Sequence, residues 1–239
     1  MRKRWVYRSF DRAAAGRIQK EHGLSEQLAV MLAQRGVSEP DDVERFLNPT
    51  LDQMHDPFLM KGMREAVERI RRAIANNEKI LIYGDYDVDG TTAVVLLRKA
   101  IEMAGGQAEY HVPHRVREGY GMREDVIERA ARDDVKVLIS VDTGIRDAAV
   151  VAKARELGID SIVTDHHLPD EADMPQALAV VNPNQPGCDY PEKGLAGVGI
   201  AFKLAQALLG GLDWPPARLA SVLRSMLKIV AIGTIADLA

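Results

Sequence analysis

Short apolar runs alternate with amphipathic helical segments from residue 80 onward, and this alternation restricts the fold more than any other feature of the chain. The apolar runs cover residues 80–83, 108–112, 135–141, 160–163 and 178–181. The helical segments between them cover residues 91–103, 124–131 and 147–157. Short continuous apolar strands that alternate with helices are typical of a parallel sheet with helices on both faces. The sequence therefore predicts an α/β fold with a doubly wound, mainly parallel sheet.

The residues before this pattern are predominantly helical. Periodic apolar positions predict three helices, over residues 26–35, 41–47 and 63–76. Ser25 is placed to cap the first of them. We expect residues 1–78 to form a short helical N-terminal segment packed on the core, and residues 79–239 to form the α/β domain.

The residues after position 182 predict a loop, a helix over 200–209 and a long helical stretch from Pro215. The last residues, up to Ala239, directly follow an apolar stretch and include no polar tail. Domain boundaries usually lie in exposed polar linkers. We therefore expect a further C-terminal domain beyond residue 239.

Charge and cysteine content exclude several classes of protein. The 239 residues have a net charge of −4, which excludes binding of polyanions over the whole surface but allows a local basic groove. Cys188 is the single cysteine, so an intrachain disulfide and an all-cysteine zinc site are excluded and a reducing cytoplasm is favoured. No apolar stretch follows the basic start at 1–4, so we expect no signal peptide. We also expect no membrane span, which needs ~20 apolar residues.

Three aspartates follow the first predicted strand in the string GDYDVDG: Asp85, Asp87 and Asp89. On an extended segment, side chains two residues apart point the same way, so we expect these carboxylates to crowd one another. Crowded carboxylates beside a low-dielectric sheet repel unless cations neutralise them. The alternative is a polar turn in which Asp89 or Thr91 caps the next helix, but capping needs only one acid. The three acids therefore favour metal binding.

Two more predicted strands end in potential metal ligands. Asp142 follows the third run, and Asp165, His166 and His167 follow the fourth. Because the carboxyl ends of parallel strands line one edge of a sheet, we expect these side chains to meet the three aspartates. Oxygen and imidazole ligands without thiolates suit Mn²⁺ or Mg²⁺, and a histidine ligand favours Mn²⁺.

Four strings in order, YGDYDVDGTTA, SVDTG, TDHH and VAIGTIADL, resemble the four motifs of the DHH phosphoesterase family. The resemblance covers nearly the whole chain and implies that two divalent cations are bound by Asp87, Asp89, Asp142, His166 and Asp237. It further implies that Asp142 bridges the two cations, that Asp87 serves one, and that the other three ligands serve the second. Asp85, Asp165 and His167 would lie behind the ligands or contact substrate. His167 would contact the phosphate or assist proton transfer, and would share the catalysis with Asp87, Asp89, Asp142 and His166.

Tyr83 helps to decide which enzyme class of the superfamily the resemblance implies. Pyrophosphatases of the same superfamily have a metal-binding histidine at this position, four residues before the first ligand aspartate. We therefore expect metal-dependent hydrolysis of single-stranded DNA from its 5′ end, as in the family's exonucleases of DNA repair and recombination. The alternatives are a phosphodiesterase or phosphatase for short oligonucleotides or cyclic dinucleotides, and a non-catalytic replication scaffold. The intact set of acids argues against the scaffold, because unpaired buried carboxylates are costly.

The loop after the second strand offers candidates for substrate contact. Arg115 and Arg117 carry the guanidinium fork that matches phosphate, and Tyr120 can stack on a base. Taken alone, the loop is better explained as solvated, but the resemblance favours Arg115 as the contact to a terminal phosphate. Residues 194–199 are either a phosphate-binding helix start or a closely packed turn, and the sequence does not decide between these.

The resemblance also implies partners. Besides single-stranded DNA, these are a single-strand-binding protein and a helicase. We expect a cytoplasmic monomer without membrane contact.

Overall fold

The computed structural model of the chain describes Val6 and residues 8–238. The basic start, for which no signal peptide is expected, lies outside the described residues. The chain divides into two compact units, with the boundary between Met54 and His55. The division at residue 78 into an N-terminal segment and an α/β domain stays a prediction.

Among its described residues, the first unit contains three α-helices and one short 3-10 helix: α1 (Arg12–His22), α2 (Glu26–Ala33), α3 (Pro40–Leu47) and Leu51–Gln53. Ser25 accepts a hydrogen bond from the backbone N–H of Leu28 at 3.3 Å and caps α2, as predicted. Helix α1 was not predicted, although Asp11 caps its start and Gly23, with φ of 63°, ends it. The core of this unit is small and consists of Ile18, Ala29, Leu32 and Val43.

The second unit is built on five parallel strands: β1 (Lys79–Gly84), β2 (Ala108–His111), β3 (Val135–Val141), β4 (Asp160–Thr164) and β5 (Ala179–Val181). Every strand end lies within one residue of its predicted position. The spatial order is β2-β1-β3-β4-β5, and all four neighbouring pairs are parallel. The predicted parallel α/β fold is confirmed.

Helices cover both faces of this sheet: α4 (Met63–Ala75), α5 (Val88–Met103), α6 (Glu124–Arg132), α7 (Ala148–Glu156), α8 (Gly197–Leu209) and α9 (Pro216–Asp237). Helices α6 and α7 pack on the face that presents Leu81, Tyr83 and Leu138. On the opposite face, α8 contacts both α4 and α5, these three helices contact the strands, and α9 packs on α5 and α8. Except for the edge strand β2, which is partly exposed, the strands are buried from both sides, which explains why they read as continuous apolar runs.

The chain reverses its winding direction between β1 and β3. From β1 it moves outward to β2, and it then returns to β3 on the other side of β1 and continues to β4 and β5. Gly84 and Val141 are register partners at the carboxyl ends of these two strands, so the residues that follow them leave the sheet at the same level. Doubly wound sheets bind ligands at this type of crevice.

Two helices begin earlier than predicted. Helix α5 begins at Val88 rather than at residue 91, and α8 begins at Gly197 rather than at residue 200. Asp89 therefore lies in the first turn of a helix, and the expectation that Asp85, Asp87 and Asp89 share one extended segment is wrong. The carboxylates still converge, because the chain turns sharply at the end of β1.

Helix α9 corrects a second expectation. Its most apolar 18-residue window has a mean hydropathy of 1.6, and only 17% of that window is buried, so by length and composition this helix could cross a membrane. The expectation that no stretch approaches a membrane span in length and apolar character is wrong for this helix, in which polar residues interrupt the apolar ones. The expected absence of a membrane span stays a prediction. Length and composition do not place a helix in a membrane, since core helices of water-soluble proteins also pass.

Candidate metal centre

The turn after β1 brings three aspartates into the crevice in different ways. Asp85 follows the strand directly and is buried. Asp87 is the N-cap of α5 and accepts a hydrogen bond from the backbone N–H of Gly90 at 2.9 Å. The alternative, in which Asp89 or Thr91 caps α5, is therefore wrong. The Thr91 hydroxyl instead donates to the backbone carbonyl of Asp87 at 2.7 Å.

Asp89 is buried and bound by the start of a distant helix. Its carboxylate accepts hydrogen bonds from the backbone N–H groups of Gly197 at 2.6 Å and Val198 at 2.8 Å. These are the first residues of α8, where unpaired N–H groups and the helix dipole favour negative charge. Burial raises the pKa of Asp89, and the two N–H donors oppose that rise.

The contacts of Gly197 also decide between the two explanations left open for residues 194–199. Its N–H is already donated to Asp89. A Cβ atom at this position would lie 2.6 Å from both Cβ and Oδ1 of Asp142, closer than real Cβ contacts occur. A closely packed turn therefore explains Gly197, and its N–H is not available to an external phosphate.

Asp142 leaves the end of β3 with a left-handed backbone, at φ of 60°, and is 2% exposed. Its Oδ1 lies 3.2 Å from Nε2 of His166, and that same nitrogen lies 3.9 Å from Oδ2 of Asp89. Burial raises the pKa of Asp142 to about 7. Burial acts to lower the pKa of His166, but the neighbouring carboxylates, chiefly Asp142, raise it to about 9.

Asp165 organises the two histidines after β4. It is fully buried, and its Oδ1 accepts hydrogen bonds from the backbone N–H groups of His166 at 2.8 Å and His167 at 3.1 Å. The same oxygen lies 2.7 Å from Nδ1 of His167, and this pairing raises the pKa of His167. Its Oδ2 accepts from the N–H of Ile145 at 2.9 Å. Asp165 thus orients His167 with Nε2 directed away from the pairing.

Three groups of potential ligand atoms form at this edge, with all atoms of a group within 4.8 Å of one another. They are Asp85, Asp87 and Asp142; Asp142, His166 and His167; and Asp89, His166 and Asp237. Asp165 belongs to none of these groups. Asp237, at the end of α9, lies close to Asp89, which precedes it by more than a hundred residues.

Several buried atoms of this cluster have few partners. Oδ1 of Asp85 is buried and makes no hydrogen bond within the described residues, whereas Oδ1 of Asp142 and Nε2 of His166, also buried, pair with each other at 3.2 Å. Burying a polar group without a hydrogen-bond partner costs about 2–7 kcal/mol, and burying an unpaired carboxylate charge costs more. Bound cations would remove this cost, and the oxygen and imidazole donors without thiolates fit Mn²⁺ or Mg²⁺. The residues present therefore fit a divalent metal centre.

The candidates for substrate contact lie at different distances from this cluster. Arg115 stacks over the ring of Tyr86 at 4.5 Å and lines a cavity of about 440 Å³ together with Asp87 and Asp237. Tyr120 packs edge-on against His167, with ring centroids 5.9 Å apart. The Arg117 guanidinium is exposed and forms no ion pair or hydrogen bond among the residues described.

Two asparagines that the sequence did not single out support the histidine pair. The side-chain amide of Asn182 donates to the backbone carbonyl of His167 at 2.9 Å, and that of Asn184 donates to the carbonyl of His166 at 2.8 Å. Asn182 also accepts from the backbone N–H of Asn184 at 2.7 Å. The string NPN directly after β5 was the available signal, because β5 is the neighbour of β4 at the same sheet edge.

The model of the DHH family N-terminal domain matches residues 79–234, more than half of the chain. The chain is 40% identical over 235 residues to the single-stranded-DNA-specific exonuclease RecJ of Bacillus subtilis, covering 98% of this chain and 28% of the relative. It is 42% identical over 213 residues to RecJ of Dickeya dadantii, covering 87% and 36%. The chain thus spans about a third of the length of these relatives.

Solved structures give the same likeness. The crystal structure of exonuclease RecJ bound to manganese matches with a TM-score of 0.66 and 34% identity, covering 74% of this chain and 43% of that one. RecJ from Thermus thermophilus in complex with Mn²⁺ matches with a TM-score of 0.75 and 28% identity, covering 95% of this chain and 31% of that one. The confirmed resemblance extends from the motifs to the fold.

Proposed function

Because this chain belongs to the DHH family, we propose that it carries the hydrolytic centre of a metal-dependent exonuclease that degrades single-stranded DNA from the 5′ end. The observation that carries the proposal is the convergence of carboxylates and imidazoles at the reversal point of the sheet, where Asp85, Asp89 and Asp142 are buried and Oδ1 of Asp85 has no partner within the described residues. The relatives at about 40% identity are named as single-stranded-DNA-specific exonucleases. A role in DNA repair and recombination follows from the same likeness.

The proposed ligands of two divalent cations, Mn²⁺ or Mg²⁺, are Asp87, Asp89, Asp142, His166 and Asp237. Asp142 is the proposed bridging ligand, because it alone among the carboxylates belongs to two of the three groups of ligand atoms. Asp85 lies in the group with Asp87 and Asp142, so its oxygen is close enough to share that site. Asp165 supports His166 and His167 from behind the cluster.

When bound, such cations lower the pKa of a water molecule and neutralise charge on the scissile phosphate. The side chains supply orientation and contacts. Asp165 holds His167 at Nδ1, which leaves Nε2 to contact a phosphate oxygen or move a proton. Arg115, beside the acidic cavity, is the proposed contact to the terminal phosphate. Tyr120 is the proposed stacking platform for a base, with Arg117 as an outer phosphate contact.

Tyr83 supports a nuclease over a pyrophosphatase. Its ring is fully buried, and its hydroxyl donates to the backbone carbonyl of Gly121 at 3.3 Å. The position that supplies a metal-binding histidine in pyrophosphatases therefore packs the core here.

The second candidate is a phosphodiesterase for short oligonucleotides. The observation in its favour is the low positive charge near the centre: the chain has a net charge of −4, and Arg115 is the cation that lines the acidic cavity. Long strands bind through many neutralised phosphates, whereas a dinucleotide needs few. The non-catalytic scaffold loses support, since the acids and histidines are all present and brought together.

The test compares a long 5′-phosphorylated strand with a dinucleotide as substrates of the chain in Mn²⁺, with the label placed at either end of the strand. We expect kcat/KM for the strand to exceed that for the dinucleotide by about tenfold or more, with products released from the 5′ end. Asp142→Asn, prepared in parallel, controls for contaminating nuclease. Preference for the dinucleotide would support the second candidate, and bound metal without hydrolysis of either would support the scaffold.

Partners and location are part of the proposal. Single-stranded DNA is the proposed substrate partner, with a single-strand-binding protein and a helicase as proposed protein partners. A monomer in the cytoplasm is the proposed state. Co-purification with a single-strand-binding protein under native salt tests the first of these protein contacts.

A further inference from the structure

One peptide group near the metal centre is held from both sides by polar side chains, those of the buried Tyr83 and the half-buried Asp147. The hydroxyl of Tyr83 donates to the carbonyl of Gly121 at 3.3 Å, and the carboxylate of Asp147 accepts from the N–H of Met122 at 3.1 Å. The carbonyl of Gly121 and the N–H of Met122 belong to the same peptide unit. Both of its hydrogen-bonding groups are therefore satisfied by side chains from β1 and from the start of α7.

Asp147 makes this contact at the expense of a more usual one. It occupies the N-cap position of α7, where an aspartate normally bonds the N–H groups of its own helix, but it makes no such bond. Its carboxylate turns instead toward Met122 and lies 3.5 Å from the hydroxyl of Thr143. A Cβ at Gly121, whose φ is 92°, would lie 3.0 Å from Oδ1 of Asp147. Side chain and backbone thus fit closely.

The held peptide group lies one residue after Tyr120, beyond Gly121. Tyr120 is 53% exposed, and its ring lies edge-on against His167 at the rim of the centre. Its hydroxyl is 3.5 Å from Nδ1 of His167, a long contact beside the 2.7 Å pairing of that nitrogen with Asp165. The contacts to His167 alone are too loose to fix the ring. The peptide group one residue further along the backbone is held by Tyr83 and Asp147.

We propose that Tyr83 and Asp147 are positioning residues that hold Tyr120 in place to stack on a nucleotide base. They act through the peptide group between Gly121 and Met122 and contact neither the proposed metals nor the substrate. This inference rests on the proposed function, in which Tyr120 contacts a nucleic acid strand. Tyr83 thereby takes part in positioning the substrate contact Tyr120, besides standing where pyrophosphatases have a metal-binding histidine.

The test uses three variants in the whole chain with Mn²⁺. Tyr83→Phe removes one hydroxyl, Asp147→Ala removes the acceptor, and Asp147→Asn keeps an oxygen that can accept from Met122. Each is assayed on a 5′-phosphorylated oligonucleotide and on bis(p-nitrophenyl) phosphate, a small phosphodiester without a base. Tyr190→Phe, at another buried tyrosine, controls for loss of a buried hydroxyl.

Loss of one stacking contact corresponds to about 5- to 150-fold in affinity. We expect Tyr83→Phe and Asp147→Ala to raise KM for the oligonucleotide about fivefold or more, with kcat changed less than about twofold. Hydrolysis of the small ester should stay within about twofold of the parent. Asp147→Asn should behave like the parent. A residue with a merely structural role would reduce activity on both substrates.

The same substitutions made in a Tyr120→Ala background test whether Tyr83 and Asp147 act through Tyr120. There we expect less than about twofold further effect, because the side chain that they position is gone. Equal losses in both backgrounds would overturn the inference. A parent chain that hydrolyses neither substrate would instead refute the proposed function.

Hydrogen exchange reads the peptide contact without catalysis. We expect Asp147→Ala to speed exchange at the amide of Met122 about tenfold or more, while Asp147→Asn does not. Unchanged exchange in Asp147→Ala would overturn the inference whatever the activity. Thermal unfolding of each variant identifies any that fails to fold, and Tyr83→Phe, which deletes a single atom, then provides the deciding comparison.

Discussion

Gly197 is the backbone position on which the geometry of the metal centre depends most directly. Its N–H bonds Asp89 at 2.6 Å, and an added Cβ would lie 2.6 Å from Cβ and Oδ1 of Asp142 and 2.8 Å from its Cγ. Ordinary contacts for a Cβ begin at 3.4 Å. Gly197→Ala must therefore push Asp142 and the start of α8 apart by about 0.8 Å, which displaces two proposed ligands of the metal centre.

The size of the effect follows from two general costs. Overpacking a close-fitting site by one methyl group destabilises a protein by about 1–3 kcal/mol. Displacing catalytic groups by about 1 Å costs on the order of a hundredfold in rate. We expect Gly197→Ala to lower hydrolysis of bis(p-nitrophenyl) phosphate about a hundredfold and to weaken Mn²⁺ binding about tenfold or more.

Gly199 provides the matched control in the same helix turn. A Cβ there would meet Leu195 at 3.4 Å, an ordinary contact, and alanine is favoured over glycine in a helix by up to about 1 kcal/mol. Gly199→Ala should therefore leave activity unchanged and raise thermal stability slightly. Calorimetric titration with Mn²⁺, thermal unfolding and ester hydrolysis measure the three expectations. If Gly197→Ala bound Mn²⁺ and hydrolysed the ester like Gly199→Ala, the close approach of Gly197 to Asp142 would not be needed for metal binding or catalysis.

Three further predictions concern the metals and the strand. Asp142→Asn should abolish hydrolysis and weaken both metal sites while the circular dichroism spectrum is retained; activity within about tenfold of the parent with two metals bound would remove the bridging assignment. Mn²⁺ should support higher activity than Mg²⁺, and Ca²⁺ little, because His166 is an imidazole ligand; a titration in which Mg²⁺ is clearly superior would count against that ligand. With a net charge of −4, the chain should bind oligonucleotides weakly and cut distributively, with activity that falls steeply with salt. Tight, processive binding at about 0.15 M salt, where the Debye length is about 8 Å, would contradict the last prediction.

The fold follows from the sequence because its signal is local. The strand β3, for example, is predicted with its observed bounds, since a run of buried apolar residues needs no knowledge of its neighbours. The positions of Asp85 and Asp142 at strand ends follow in the same way. Once the sheet is parallel, those ends lie at one edge, so the place of the site and its class of ligand are determined by the order of the residues.

Contacts between distant segments were decided by tertiary packing alone. Asp87 rather than Asp89 caps α5, because α8 supplies the N–H groups that bind Asp89 across more than a hundred residues. Other contacts also join separate segments of the chain. Asn182 and Asn184 support the two histidines. Tyr83 and Asp147 hold one peptide group between them. Periodicity and propensity report which face of an element is buried, whereas such contacts depend on how helices and strands pack to within a few tenths of an ångström, which no local pattern encodes.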